Sequence, residues 1–76
     1  MLSTAAVTDK LRDQFPNAVI EVEALDGKAD HLFVRVVSEL FAGKTLIEQH
    51  QMVNAIFLEQ FRTEEMHALM IKTAQP

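Results

Sequence analysis

The stretch Leu32-Phe33-Val34-Arg35-Val36-Val37 decides the fold. Its β-branched and apolar side chains carry one charge in six positions, which reads as a strand. Parity puts Leu32, Val34 and Val36 toward a core, because that choice leaves Arg35 on the solvent side. Upstream, Ala18 to Leu25 alternates: Ile20, Val22 and Ala24 share one face and Glu21 and Glu23 the other, as in a half-solvated strand. The segment between them, Asp26 to Asp30, holds the turn signal Asp26-Gly27 and is longer than a two-residue hairpin loop. The two strands are therefore expected to run antiparallel, with His31 at the loop-to-strand junction.

Helical patterns flank this hairpin. From Ser3 to Phe15, Val7, Leu11 and Phe15 recur every four positions among Asp9, Lys10, Arg12 and Asp13, an amphipathic helix that Ser3 or Thr4 can cap. Pro16-Asn17 stops it. After Gly43, Thr45-Leu46-Ile47-Glu48 has the capping-box pattern, which predicts a long helix over Leu46 to Phe61. Its apolar stripe is Leu46, Val53, Ile56, Phe57 and Phe61, with Met52 at the margin and His50 inside it. Arg62-Thr63-Glu64-Glu65 breaks the pattern. Met66 to Lys72 then alternates, with Leu69 and Ile71 on one face, as a third strand does. The order α-β-β-α-β predicts an α+β fold with one layer of helices on one face of a mixed three-stranded sheet. The helix between the second and third strands permits their parallel pairing. Residues 1–76 read as a single domain with short flexible tails.

Composition narrows the function. With 76 residues and 49% apolar content, area scaling gives a folded surface of about 4,700 Å² and one thin core. Seven Lys and Arg against eleven Asp and Glu leave a net charge of −4, which weakens sequence-blind attraction to phosphate backbones and anionic lipid. Cysteine is absent, which removes disulfides, thiolate catalysis, zinc fingers and any iron–sulfur cluster held by the chain's own thiolates. No apolar run approaches the roughly 18 to 20 residues of a membrane span, and no basic region followed by an apolar block opens the chain. The expectation is a soluble, cytoplasmic protein with no membrane partner. A homodimer stays open.

Three histidines carry the remaining chemistry. Imidazole is metal-competent near neutral pH. His67, opening the last strand, either ligates a metal or caps a carbonyl, and His31, at a loop mouth, either swings toward a metal or stays solvated. His50, one turn after Leu46, is expected to be a partly buried, hydrogen-bonded residue with a structural role. Glu21 and Glu23 face solvent, where nothing tunes them as an acid/base pair. Ser3 and Ser38 lack an evident His and carboxylate partner. The chain is not expected to be an enzyme. Gly43-Lys44 is too short for a phosphate-binding loop and reads as a turn.

Three stretches resemble the BolA family: His31-Leu32-Phe33-Val34-Arg35-Val36-Val37-Ser38; the Phe41-Ala42-Gly43-Lys44 turn leading to Gln49-His50; and Met66-His67-Ala68-Leu69. With the α-β-β-α-β order, the resemblance covers nearly the whole chain and implies a class II KH-like fold. It further implies partnership with a monothiol glutaredoxin and a shared, glutathione-bound [2Fe-2S] cluster, in iron–sulfur trafficking or iron sensing. By resemblance His67 is the cluster ligand. The second family ligand is a Cys or His in the loop between the first two strands; Lys28 stands about where Cys-type members place it, which leaves His31 as the candidate here. For that role the rings of His31 and His67 have to lie close together, with neither packed inside. Two imidazoles on one iron would raise the cluster potential relative to all-thiolate ligation. The family's other association, with nucleic acid and transcriptional control, implies an alternative site at Gly43 and Lys44, with Lys28 or Arg35 as further cations. Gln49 and Gln51 replace the basic residues that flank the family's helix histidine, which weakens that alternative.

Overall fold

In the computed structural model, which describes residues 3–25 and 31–76, Ser3 caps the first helix. Its side chain accepts a hydrogen bond from the Ala6 amide (3.0 Å), satisfying one of the donors a helix start leaves unpaired. Helix α1 spans Thr4–Gln14 and buries Val7 and Leu11. Phe15 follows as its C-cap and is buried too, so the four-residue spacing describes the packed line correctly. Arg12 reaches back to donate to the Ala18 carbonyl (2.9 Å), tying the chain after Pro16 to the helix.

Strand β1 is Val19–Ala24 and β2 is His31–Val37. They pair antiparallel, Val22 opposite Val34. The expected turn over Asp26 to Asp30, and Lys28 within it, lie outside the described residues. Leu32, Val34 and Val36 are all 0% exposed, as the parity argument requires. A 3-10 turn at Glu39–Phe41 follows β2 and drops Phe41 into the core. There its ring meets that of Phe15 at 5.2 Å between centroids, tilted by 48°, within the range aromatic pairs favour.

Helix α2 spans Leu46–Ile56 and starts with the capping box. The Glu48 amide donates to Thr45 Oγ1 (3.1 Å) and the Thr45 amide to Glu48 Oε1 (2.9 Å). The expected single helix to Phe61 is divided. Phe57 leaves helical geometry at φ −111°, ψ 13°, and α3 runs separately over Leu58–Arg62. Neither Pro nor Gly marks this break. It accompanies complete burial of Phe57 and near-burial of Gln60, which face the core from the two segments. Leu46, expected in the buried stripe, is 61% exposed; Gln49, not Leu46, is the first residue of α2 to enter the interior.

Strand β3 is Ala68–Ala74, displaced from the expected Met66 to Lys72. Met66 is instead a core residue at 1% exposure, and the strand runs on through Thr73 and Ala74, where the Ser38 amide donates to the Ala74 carbonyl (3.0 Å), leaving Gln75 and Pro76 outside it. β3 lies parallel to β2, giving the sheet order β1-β2-β3. Residues of α1 and α2 join the buried face of β2 in one cluster, against which Ile20, Val22, Phe61 of α3, Leu69 and Ile71 pack in part. The accessible surface is 4765 Å², close to the value expected from mass alone. No helix among the described residues is long and apolar enough to cross a membrane.

Candidate metal centre

Two of the three histidines are brought together by the parallel pairing of β2 with β3. His31 is the first residue of β2, and its register partner is Ala68, the first of β3. His67 immediately precedes Ala68, so both rings sit at the same end of the sheet. Their centroids are 6.1 Å apart and their planes are inclined by 78°. His31 is half-buried and His67 exposed, so neither imidazole is sealed inside.

The turn before β3 directs His67 outward. Thr63 closes α3, its amide donating to the Glu59 carbonyl (2.9 Å), and Glu64 takes the left-handed conformation at φ 64°. The Met66 amide donates to the Gln60 carbonyl (3.1 Å) while its side chain fills the core. His67 follows Met66 as an exposed residue. Glu65 is held by the Thr63 hydroxyl, which donates to its carboxylate (3.1 Å).

With metal–nitrogen bonds of about 2.0–2.1 Å, two imidazoles on one ion hold their centroids roughly 5 Å apart. The observed 6.1 Å differs from that by about 1 Å, a distance that side-chain rotation covers. Among the described residues no group of three or more His, Cys, Asp or Glu side chains is placed to hold an ion. Among the described residues, the two imidazoles therefore make a pair of donors without a third ligand.

His50 is not part of the ring pair; it is half-buried on α2. The residue beside it does the work that sequence reasoning missed. Gln49 is buried at 8% exposure; its amide nitrogen donates to the Lys44 carbonyl (3.0 Å), and its oxygen accepts from the Thr73 hydroxyl (2.6 Å). This clamp fastens the start of α2 to β3. No hydropathy pattern marks it, because glutamine counts as a surface residue until its partners are known.

Gly43 and Lys44 form the turn into α2. Gly43 has φ 76°, and the Lys44 amide donates to the Phe41 carbonyl (3.0 Å). Arg35, a candidate phosphate contact, is instead ion-paired to Glu21 across β1 and β2. The exposed face of this turn is apolar at Leu46 and Ile47, the latter 71% exposed.

Comparison with known proteins agrees with this architecture. A family model described as BolA-like protein matches residues 6–76. The chain is 43% identical over 74 residues to Protein BOLA2 of Arabidopsis thaliana, covering 93% of this chain and 71% of that protein. It is 38% identical over 72 residues to human BolA-like protein 3, covering 92% of this chain and 65% of that one. It thus spans roughly two-thirds of the length of these relatives. Among solved structures, a bol-like protein from Babesia bovis superposes with a TM-score of 0.85 at 25% identity, over 100% of this chain and 87% of that one. The BolA domain of SufE1 from Arabidopsis thaliana gives 0.85 at 26% identity, over 100% of this chain and 96% of that one. The parallel β2–β3 pairing, the helix order and these matches lead to one conclusion: the chain belongs to the BolA family.

Proposed function

We propose that the chain is a non-enzymatic adaptor that partners a monothiol glutaredoxin and shares a glutathione-bound [2Fe-2S] cluster, with His67 and His31 as its ligands, in iron–sulfur trafficking or iron sensing. The observation that carries this reading is the 6.1 Å separation of the two rings at one open end of the sheet. A chain without cysteine enters iron–sulfur chemistry only by lending imidazole nitrogen to a cluster that other thiolates already hold. When bound, the cluster supplies one-electron capacity, and histidine ligation raises its potential. The chain's own part is to present two imidazole nitrogens at one end of the sheet, with Met66 and the β2–β3 register as the rigid support.

Visible circular dichroism of cluster-loaded glutaredoxin with glutathione tests this. Adding the wild-type chain should change the spectrum, and His67→Ala should abolish that change. An unchanged spectrum with wild type removes the mechanism. A spectrum that still changes fully with His31→Ala reassigns the second ligand only.

A further inference from the structure

Two donors on this chain leave the rest of the coordination sphere to another protein. Metal–ligand bonds of about 2.0–2.3 Å then bring that protein's surface against whatever flanks His31 and His67. Strand parity identifies the flank. Leu32, Val34 and Val36 point into the helix-covered side at 0% exposure, so His31, Phe33 and Arg35 line the opposite face of β2. The parallel register sets Ala68, Met70 and Lys72 beside them on β3. Ala68, Met70 and Lys72 are exposed on this face.

Its chemistry changes in order away from the rings. Phe33 and Met70 are apolar register partners, Phe33 half-buried and Met70 59% exposed, with Glu23 beside Phe33 on β1. Arg35 and Lys72 are the next partners on the same face. Arg35 is neutralised by Glu21, while no ion pair among the described residues involves Lys72. Among the described residues, Lys72 is thus a cation in no ion pair on this face, two register positions beyond Phe33 and Met70.

We propose that this open sheet face, from Phe33 and Met70 to Lys72, is the docking surface for the protein that carries the cluster. It selects a partner that presents an apolar side chain next to its cluster and a carboxylate farther from it. The proposal rests on the shared-cluster reading above and adds the direction of approach: the partner covers the sheet, not the helices.

The test measures the affinity of the full chain for cluster-loaded monothiol glutaredoxin with glutathione, by titration calorimetry at two salt concentrations. Met70→Glu, and the milder Met70→Gln, change an exposed position, and far-UV circular dichroism checks their fold. Met70→Glu should weaken binding about tenfold or more, as a charge in the apolar centre of an interface does. Lys72→Glu should weaken it severalfold and flatten its salt dependence. Ile47→Glu, on the helix layer, should bind as wild type. Folded Met70 variants that bind with wild-type affinity overturn the docking surface, as does a loss confined to Ile47→Glu. If the wild-type chain sediments as a dimer that Met70→Glu dissociates, the face belongs to a second copy and the proposal fails. Failure of the shared-cluster reading looks different: wild type then gives neither binding nor a spectral change.

Discussion

His31 and His67 are neighbours because His31 and Ala68 are register partners in a parallel strand pair. Their separation is therefore a property of the β2–β3 register, and a one-residue slip would turn His31 to the other face. The buried row Leu32, Val34 and Val36 guards against that slip, since shifting it would bring Phe33 and Arg35 into the core. Several consequences can be measured.

The Gln49 clamp should matter more to stability than its polarity suggests. Gln49→Ala removes two part-buried hydrogen bonds, to the Lys44 carbonyl and from the Thr73 hydroxyl, each worth about 0.5–1.5 kcal/mol. Thr73→Val should show part of the same loss. Chemical denaturation of both single variants and the double variant should give a coupling energy of at least about 0.5 kcal/mol; strict additivity would mean that the 2.6 Å contact contributes nothing.

Phe41 is 0% exposed and packs its ring at a tilt against that of Phe15. Phe41→Ala should cost about 3–5 kcal/mol, much of the total stability of a domain this size. Thermal melts should show a transition lowered by well over 10 °C, roughly. A drop of only a few degrees would indicate that the site collapses around the smaller side chain.

Two left-handed positions predict opposite outcomes. Glu64 at φ 64° carries a side chain where the conformation costs a non-glycine residue about 1–2 kcal/mol. Glu64→Gly, offset by the larger chain entropy of glycine, should stabilise by about 0.5–1 kcal/mol. Gly43 at φ 76° has open space where a Cβ would go, so Gly43→Ala should cost about 1 kcal/mol through backbone strain alone. Equilibrium unfolding of the two variants should give shifts of opposite sign.

The capping box on α2 makes stability depend on pH. Hydrogen bonds from the Thr45 backbone amide and then its side chain hold the Glu48 carboxyl below its ordinary value, assisted by Lys44. The unfolded chain takes up the proton first as the solution is acidified. The contribution is thus complete above the ordinary glutamate value of about 4.3 and is lost as pH falls through the lower folded-state value. Thr45→Ala should cost about 1 kcal/mol at neutral pH and reduce the acid-side slope of stability; Glu48→Gln should remove that group's share of the slope. Unfolding curves from pH 7 down to about pH 3 would expose any variant that kept the wild-type slope.

The hairpin, the capping box and the core face of β2 were legible from sequence because each rests on local periodicity or a short-range hydrogen-bond pattern. Phe41, Gln49 and Gln60 were not. Phe41 sits in a short turn with no period to reveal its direction, and the two glutamines occupy interior positions where a pattern reading looks for aliphatic residues. The interruption at Phe57 has no Pro or Gly to announce it. The pairing of His31 with His67 is a register effect between distant segments, and the resemblance of three short stretches to one family supplied what periodicity could not.

The most direct test of the shared-ligand account follows the imidazole nitrogen resonances of all three histidines while cluster-loaded glutaredoxin with glutathione is added to the labelled chain. The rings of His31 and His67 should shift or broaden together, and His50 should keep its position. If His50 alone responds, or if all three rings stay unmoved while the proteins bind, the paired histidines do not ligate the cluster.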